Sequence, residues 1–484
     1  MSSAGRVFGT DGIRGVANDT LTPEIAFAVG RAAGAVLAPE GTFVVGRDTR
    51  ISGPMLEAAL VAALCSVGAR VVRVGIMPTP AVAYLVRALG ADAGVVVSAS
   101  HNPVEDNGIK FLGPTGQKLP DAVEEEIERA MGQDGPRPAG TRVGVATDLI
   151  DAEERYLRYL VSHARRVEGL RIAVDCGFGA AYRVAPELWA LLGAEVVAIN
   201  DEPDGTRINV KCGSTSPEVI AAVVREHDAD VGFTHDGDAD RVIAVDETGR
   251  IVDGDLIMTV CARHLARSGV LVPRRIVATV MTNLGVEHAL REEGIEVERA
   301  PVGDRYVLER MLQTDAVLGG EQSGHIIFRR LPLNRGANAL SAALPSTSRP
   351  YPIGGEGLGE GEASTTWTEG ILTGDGLMTA VQLANVMVEV RRPLSELVGY
   401  VRRLPQVLIN VRVRSRDSAL DDPQLREAIA QTERAIQGRG RLLVRPSGTE
   451  PLIRVMVEHE EEETARRMAS ELAERIASAL AGRP

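Results

Sequence analysis

The run Ala93-Gly94-Val95-Val96-Val97-Ser98-Ala99-Ser100-His101-Asn102-Pro103 reads as a strand that stops in a polar turn. Ala93 to Val97 is apolar without alternation, the pattern of a strand covered on both faces. Upstream, Ala81 to Leu89 predicts a helix, Arg70 to Gly75 a strand, Met55 to Val67 a helix and Thr42 to Gly46 a strand. Strands alternating with helices form βαβ units and a mostly parallel sheet. Reactive groups in such sheets collect at the carboxyl ends of strands. Ser100 falls at one.

The same rhythm returns twice. A Gly/Pro-rich stretch, Gly132 to Gly140, precedes strands at Arg171 to Asp175, Glu195 to Asn200 and Asp230 to Thr234, with helices at Ala180 to Leu192 and Pro217 to His227. Val242 to Asp246 and Arg250 to Val252 read as a hairpin. A third series follows Asp253: a helix to about Arg267, a strand at Arg275 to Val280, a helix at Leu284 to Glu293, a strand near Glu296 to Ala300 and a helix near Asp304 to Leu312. The end differs, with strands at Val407 to Val413, Arg441 to Val444 and Leu452 to Val457 and helices at Pro423 to Gln437 and from Glu461. The expected fold class is therefore α/β: three successive α/β domains (1–151, 152–253, 254–400) with mixed, βαβ-built sheets, then a C-terminal α+β domain (401–484). Residues 329–372 are loop-like, rich in Pro, Gly and Ser, and are expected to be exposed and poorly ordered. Such a loop is uncommon in a compact domain, but each doubling of loop length costs only about 0.6 kcal/mol.

A net charge of -13 argues against a nucleic-acid partner, which calls for a basic stripe. No run of 18 apolar residues exists, so no membrane span is expected. The N-terminus shows no apolar signal core. The four cysteines, Cys65, Cys176, Cys212 and Cys261, show no C-x-x-C spacing and suggest a reducing, cytoplasmic setting. Lysine is rare: Lys110, Lys118 and Lys211 stand among 53 basic residues. Because lysine, unlike arginine, can lose its proton when its surroundings lower its pKa, each invites a search for proton chemistry.

Downstream of the serine, a strand ends in His235-Asp236-Gly237-Asp238-Ala239-Asp240-Arg241. Three carboxylates at alternate positions repel one another unless a hard cation offsets them, and Mg²⁺ suits all-oxygen ligands plus a substrate phosphate. An EF-hand is the rival, with Glu247 at loop position 12; but Arg241 stands where that loop requires glycine, and Val242 to Val245 reads as strand. A serine beside a divalent-cation site is suited to covalent phosphoryl transfer. Ten positions after Ser100, in Asp106-Asn107-Gly108-Ile109-Lys110, a lysine with a lowered pKa could serve as general acid or base, the plainer alternative being a surface ammonium on a loop, while His101 and Asn102 supply polar groups.

Three further loops carry recognition chemistry. Arg445-Pro446-Ser447-Gly448-Thr449-Glu450-Pro451 joins two strands and offers a guanidinium, two hydroxyls and a glycine-exposed N–H to a phosphate, with Arg454 as a second fork. Gly319 to His325 could cradle a polyol through Glu321 and Ser323. Phe8 to Gly15 puts Arg14 on a loop before any regular element. No P-loop exists, because no lysine follows a glycine, and Gly177-Phe178-Gly179 lacks its third glycine at Tyr182.

Together, Gly9 to Gly15, Ser98 to Pro103, Asp236 to Arg241, Gly320 to His325 and Arg445 to Glu450 resemble, in order, the signature loops of the α-D-phosphohexomutase superfamily. The resemblance covers nearly the whole chain. It implies four domains around a central cleft and an isomerase that shuttles a phosphoryl group through phospho-Ser100 and a 1,6-bisphosphate intermediate or activator. It implies one Mg²⁺ per subunit held by Asp236, Asp238, Asp240 and a phosphoserine oxygen. Lys110 and His101 are implied for proton transfer, with Arg14 and Arg241 beside the reacting phosphate. Glu321, Ser323 and His325 are implied for the sugar, and Arg445, Ser447, Gly448, Thr449 and Arg454 for the non-reacting phosphate. Gln322 and Asp106 to Lys110 favour the branch that interconverts glucosamine 6-phosphate and glucosamine 1-phosphate on the route to UDP-N-acetylglucosamine and cell-wall precursors. Phosphomannomutase/phosphoglucomutase activity is the alternative. The expected partner is a small-molecule sugar phosphate, with no nucleic acid or membrane; the oligomeric state stays open, a homodimer being the candidate assembly. The superfamily has only a few residues between Phe328 and Thr373, so the long loop is a departure from it.

Overall fold

The computed structural model describes residues 7–9, 11–133, 135, 137–332, 367–413, 422–446 and 452–481. The chain divides into two compact units, Met1–Thr279 with Glu298–Val398, and Val280–Val297 with Gly399–Pro484.

The first sheet of the larger unit contains β1 (Ile13–Val16), β2 (Thr42–Arg47), β3 (Arg70–Ile76), β4 (Ala93–Val97), β5 (Asp106–Leu112) and β6 (Ala146–Asp148), in the order β1-β5-β4-β2-β3-β6. β4, β2, β3 and β6 run parallel, while β5 pairs antiparallel with both β4 and β1. All of β4 is buried, as its unbroken apolar run requires. Phe43, Val45, Val95 and Val97 pack in one core with Leu56, Leu60 and Leu64 of the helix Gly53–Ser66. The helix Pro23–Leu37, absent from the sequence expectations, starts at an N-cap where Thr22 accepts from the Ile25 N–H, with Pro23 in its first turn.

A second sheet holds β7 (Arg171–Asp175), β8 (Glu195–Ile199), β9 (Val231–His235), β10 (Val242–Asp246) and β11 (Ile251–Val252), in the order β11-β10-β9-β7-β8. Its β10–β11 hairpin forms as expected. A third sheet has the order β13-β12-β14-β15, from β12 (Arg275–Thr279), β13 (Glu296–Ala300), β14 (Leu318–Gly320) and β15 (Ile326–Phe328). These sheets mix parallel and antiparallel pairs, as the α/β reading predicts.

Three expectations are corrected here. Arg14 does not precede regular structure: it lies in β1, with Arg14 opposite Gly108. Lys110 is on β5, not on a loop, and is opposite Val96. Asp106, Asn107 and Gly108 are poor strand formers, and pairing on both sides overrides their propensity. Finally, the 329–372 segment is not loop throughout. Its ends form β16 (Arg330–Pro332) and β17 (Trp367–Glu369), paired antiparallel, and Arg330 stacks over the Trp367 ring. The expected disorder falls on 333–366, outside the described residues.

In the smaller unit, β18 (Gln406–Arg412), β19 (Gly440–Pro446) and β20 (Leu452–His459) form an antiparallel sheet ordered β18-β20-β19. Val411, Ile453, Val455 and Val457 pack against Leu425 of the helix Pro423–Ile436 and Leu472 and Ile476 of the helix Glu462–Ala481. This is the α+β arrangement read from the sequence. Among the described residues, no helix is long and apolar enough to cross a membrane.

Candidate active site

β4 and β5 form a hairpin with Ser100 in its turn. Ser100 has a φ of 51°, a left-handed conformation that costs an L side chain energy and persists only where its surroundings hold it. Arg50, 0% exposed, supplies that hold. Its guanidinium donates to the carbonyls of Ser100 (3.0 Å), Asn102 (2.9 Å) and Asp106 (2.8 Å), while Nε donates to Asp48 Oδ2 at 3.0 Å. Asn209 adds a bond from Nδ2 to the Ser100 carbonyl at 2.8 Å.

β9 ends at His235 and releases Asp236, Asp238 and Asp240 toward this turn. A Cβ on Gly237 would meet the Ser100 carbonyl at 2.6 Å, so a larger residue would push the two turns apart. As placed, Ser100 Oγ donates to Asp236 Oδ2 at 2.6 Å, and His101 Nδ1 lies 3.3 Å from the same hydroxyl. Thr79 Oγ1 and Lys110 Nζ donate to Asp238 Oδ2 at 2.6 and 2.9 Å.

The carboxylates of Asp236, Asp238 and Asp240 are buried, and a ligand oxygen from each lies within 4.8 Å of the others. Asp238 Oδ1 and Asp240 Oδ1 are buried without a hydrogen-bond partner. Burial, then the charges of Asp240 and Asp238, pushes the Asp236 carboxyl up to about 8. Asp240 moves the other way: burial opposes its charge, but His325, Lys110 and Arg241 outweigh burial and hold it well below the usual range. Orphaned buried oxygens and a carboxyl forced toward its neutral form are what a hard divalent cation would relieve. The cluster can therefore hold a metal ion.

The expectation of a lowered lysine pKa is overturned. Burial opposes charge on Lys110, but Asp11, Asp238 and Asp240 more than offset it and raise its pKa above the ordinary lysine value. Lys110 is a fixed ammonium. His101, in contrast, is lowered to about 4 by burial, then by Arg241 and Arg14, and is neutral at pH 7.

Arg14 donates to Asn102 Oδ1 at 2.6 Å and also pairs with Asp11. The Arg241 N–H donates to Asp236 Oδ1 at 3.2 Å, and its Nε lies 3.8 Å from Asp240. Glu321 and Ser323 occupy the β14–β15 turn, where Glu321 Oε1 accepts from the Gly303 N–H at 2.9 Å. His325 returns toward the aspartates: its Nδ1 is 3.6 Å from Asp240, and its Nε2 accepts from the Gly374 N–H at 3.0 Å.

These contacts close a ring of three carboxylates, two ammonium groups and the His325 imidazole. Asp240 lies 3.7 Å from Lys110, Lys110 3.5 Å from Asp11, Lys118 2.6 Å from Asp304, and Asp304 3.6 Å from His325; Asp11 pairs with Lys118, and His325 returns to Asp240. The ring ties the first, second and third sheets' loops together. In the smaller unit, β19 and β20 set Arg445 directly opposite Arg454. Burial and then the Arg454 charge lower the Arg445 pKa. Ser447, Gly448 and Thr449 lie outside the described residues.

Thus Ser100, His101, Lys110, Arg14, Arg241, Asp236, Asp238, Asp240 and His325 come together in the larger unit, with Glu321 held nearby through Gly303. The sequence reading passed over Arg50, Thr79, Asp11 and Asp304. Of these, only Asp11 carried a signal, its place inside the glycine-spaced segment before Arg14. Lys118 had been visible through the rarity of lysine alone.

Residues 5–137, 154–249, 253–404 and 408–475 match phosphoglucomutase/phosphomannomutase alpha/beta/alpha domains I, II and III and the C-terminal domain respectively. The chain belongs to the phosphoglucomutase/phosphomannomutase family and is an isomerase with its four-domain architecture. It is 52% identical over 483 residues to the phosphoglucosamine mutase of Moorella thermoacetica, covering 98% of this chain and 100% of the relative. It is 47% identical over 478 residues to that of Geobacillus kaustophilus, covering 97% and 98%. Among solved structures, a phosphoglucomutase/phosphomannomutase family protein from Burkholderia thailandensis superposes with a TM-score of 0.75 at 24% identity, covering 99% and 98% of the two chains. The Aspergillus fumigatus N-acetylphosphoglucosamine mutase in complex with GlcNAc-6P and magnesium gives 0.64 at 18% identity, covering 98% and 96%.

Proposed function

We propose that this chain interconverts glucosamine 6-phosphate and glucosamine 1-phosphate through a phosphoserine at Ser100 and a 1,6-bisphosphate intermediate. The observation that carries the reading is the Ser100 hydroxyl, 2.6 Å from Asp236 inside the buried aspartate cluster. The amino-sugar substrate is supported by near-full-length identity to phosphoglucosamine mutases.

In the first step the sugar O1 forms a bond to phosphorus as the bond from Ser100 Oγ breaks. The O1 proton leaves and the serine oxygen is restored to a hydroxyl. In the second step, after the bisphosphate turns over, Ser100 Oγ loses its proton and bonds to the O6 phosphoryl as the bond from O6 to phosphorus breaks, O6 takes up a proton, and glucosamine 1-phosphate is freed. Neutral His101, 3.3 Å from Ser100 Oγ, can accept a proton, while the Lys110 ammonium keeps its proton and supplies a fixed positive charge beside Asp238. Mg²⁺ bound by Asp236, Asp238, Asp240 and a Ser100 phosphoryl oxygen would polarise that group and offset its charge. Arg14 and Arg241 neutralise the transferring phosphoryl. Glu321, Ser323 and His325 hold the sugar, while Arg445, Ser447, Gly448, Thr449 and Arg454 hold the other phosphate. The setting is a reducing cytoplasm, a reading that four unpaired cysteines support.

Relative kcat/KM on glucosamine, glucose and mannose 6-phosphates tests the assignment. Preference for glucosamine 6-phosphate is expected. Preference for either of the others would replace it with a phosphomannomutase/phosphoglucomutase.

A further inference from the structure

Lys118 joins two carboxylates supplied by separate parts of the fold. Its Nζ pairs with Asp11, just before β1, and lies 2.6 Å from Asp304 Oδ2, at the start of the helix Asp304–Thr314. The three side chains are only 18%, 26% and 18% exposed in that order. Arg305 repeats the link, donating to the Leu119 carbonyl and to Asp121. The 118–121 stretch therefore grips the first turn of that helix at two points.

Gly303, one residue before Asp304, has a φ of 129°, and its N–H donates to Glu321 Oε1 at 2.9 Å. The second Glu321 oxygen lies 3.5 Å from Ser323 Oγ, a weak contact that substrate can displace. Anchoring one oxygen fixes where the other points. A rigid acceptor binds a sugar hydroxyl better than a mobile one, because less freedom is lost on binding.

A compact ammonium fits end-on between two carboxylates, whereas a guanidinium is a wide planar fork. In a chain whose 53 basic residues include only three lysines, two of those lysines occupy this ring. We infer that Lys118 is a positioning residue for sugar binding: through Asp304 and Gly303 it holds the carboxylate of Glu321 in place for the substrate. The inference rests on the proposed sugar-binding role of Glu321.

The test is steady-state kinetics of the full chain with saturating Mg²⁺ on glucosamine 6-phosphate, for wild type, Lys118→Met, Lys118→Arg and Asp304→Asn. Removing the link should raise KM roughly tenfold while kcat stays within about threefold, the signature of lost substrate binding. Lys118→Arg should recover part of the KM, since it keeps the charge and loses the fit. Asp304→Asn cuts the same link from the other side and carries the test if Lys118→Met does not fold. Folded variants whose KM stays within about twofold of wild type, with a fall only in Tm, would overturn the inference and leave Lys118 a structural tie. Should wild type prefer another hexose 6-phosphate, the substrate reading fails on its own, and the KM ratio on the preferred sugar still decides the role of Lys118.

Discussion

Lys110 Nζ donates to Asp238 Oδ2 at 2.9 Å with both side chains buried, 2% and 0% exposed. Removing one partner of a buried ion pair costs about 3–5 kcal/mol, mostly because the other charge is stranded. Lys110→Met should therefore unfold at a markedly lower temperature than wild type. Since Asp238 is also a proposed metal ligand, the deficit should be larger in chelator than in excess Mg²⁺. Melting curves under the two conditions check this; equal deficits would separate Asp238 from the metal.

A ligand that binds only the folded state stabilises it by mass action. Mg²⁺ should raise the Tm of wild type and leave that of an Asp236→Asn/Asp238→Asn variant unchanged. The same variant should lose activity by at least about a hundredfold, given that the ion would offset charge on the transferring phosphoryl. A Mg²⁺-dependent rise in Tm surviving in the variant would place the ion elsewhere.

Asp375 gives a pH dependence of known sign. It caps the helix Gly376–Val390, accepting from the Met378 N–H at 2.8 Å and from the Tyr156 hydroxyl at 2.9 Å. Burial raises its pKa from 3.8 to about 6, against the pull of those bonds. Between these values the folded chain holds a proton that the unfolded chain has released, so this group's contribution falls as pH rises through the window. Asp375→Asn keeps the acceptor and removes the charge. Relative to wild type, it should gain on the order of 2–3 kcal/mol between about pH 4 and about pH 7. Denaturant or thermal unfolding of both proteins at each pH measures the gain; a constant gap would contradict the shift.

Arg50 spends its guanidinium on the backbone of the Ser100 turn and on Asp48. Lysine cannot reproduce that fork, and each orphaned buried carbonyl costs about 1–3 kcal/mol. Arg50→Lys should lower both Tm and kcat, with KM little changed because none of the residues proposed to hold the sugar is touched. Wild-type kcat in a destabilised Arg50→Lys protein would show that the turn holds its shape unaided.

Local pattern carried the frame of this molecule. β4 was legible because five consecutive buried residues leave no polar face, and the aspartate loop because its spacing has few uses outside metal binding. β5 was not, since Asp106, Asn107 and Gly108 are poor strand formers that reveal a strand only once two neighbouring strands pair with them. The pKa of Lys110 was misjudged for a related reason: it depends on Asp11, Asp238 and Asp240, brought to it by the fold from distant points in the chain. Asp304 lies far along the chain from Asp11 and Lys118, so no spacing announces their link. Candidate site residues could be picked out from motifs, while the contacts that hold them needed coordinates.

The most direct test of phosphoryl transfer through Ser100 is intact-mass measurement of the protein after incubation with glucose 1,6-bisphosphate and Mg²⁺. One added phosphoryl group is predicted on wild type and none on Ser100→Ala, together with loss of isomerisation in the variant. A wild-type protein that isomerises sugar phosphates without ever carrying that mass, or a Ser100→Ala variant that still carries it, would contradict the account.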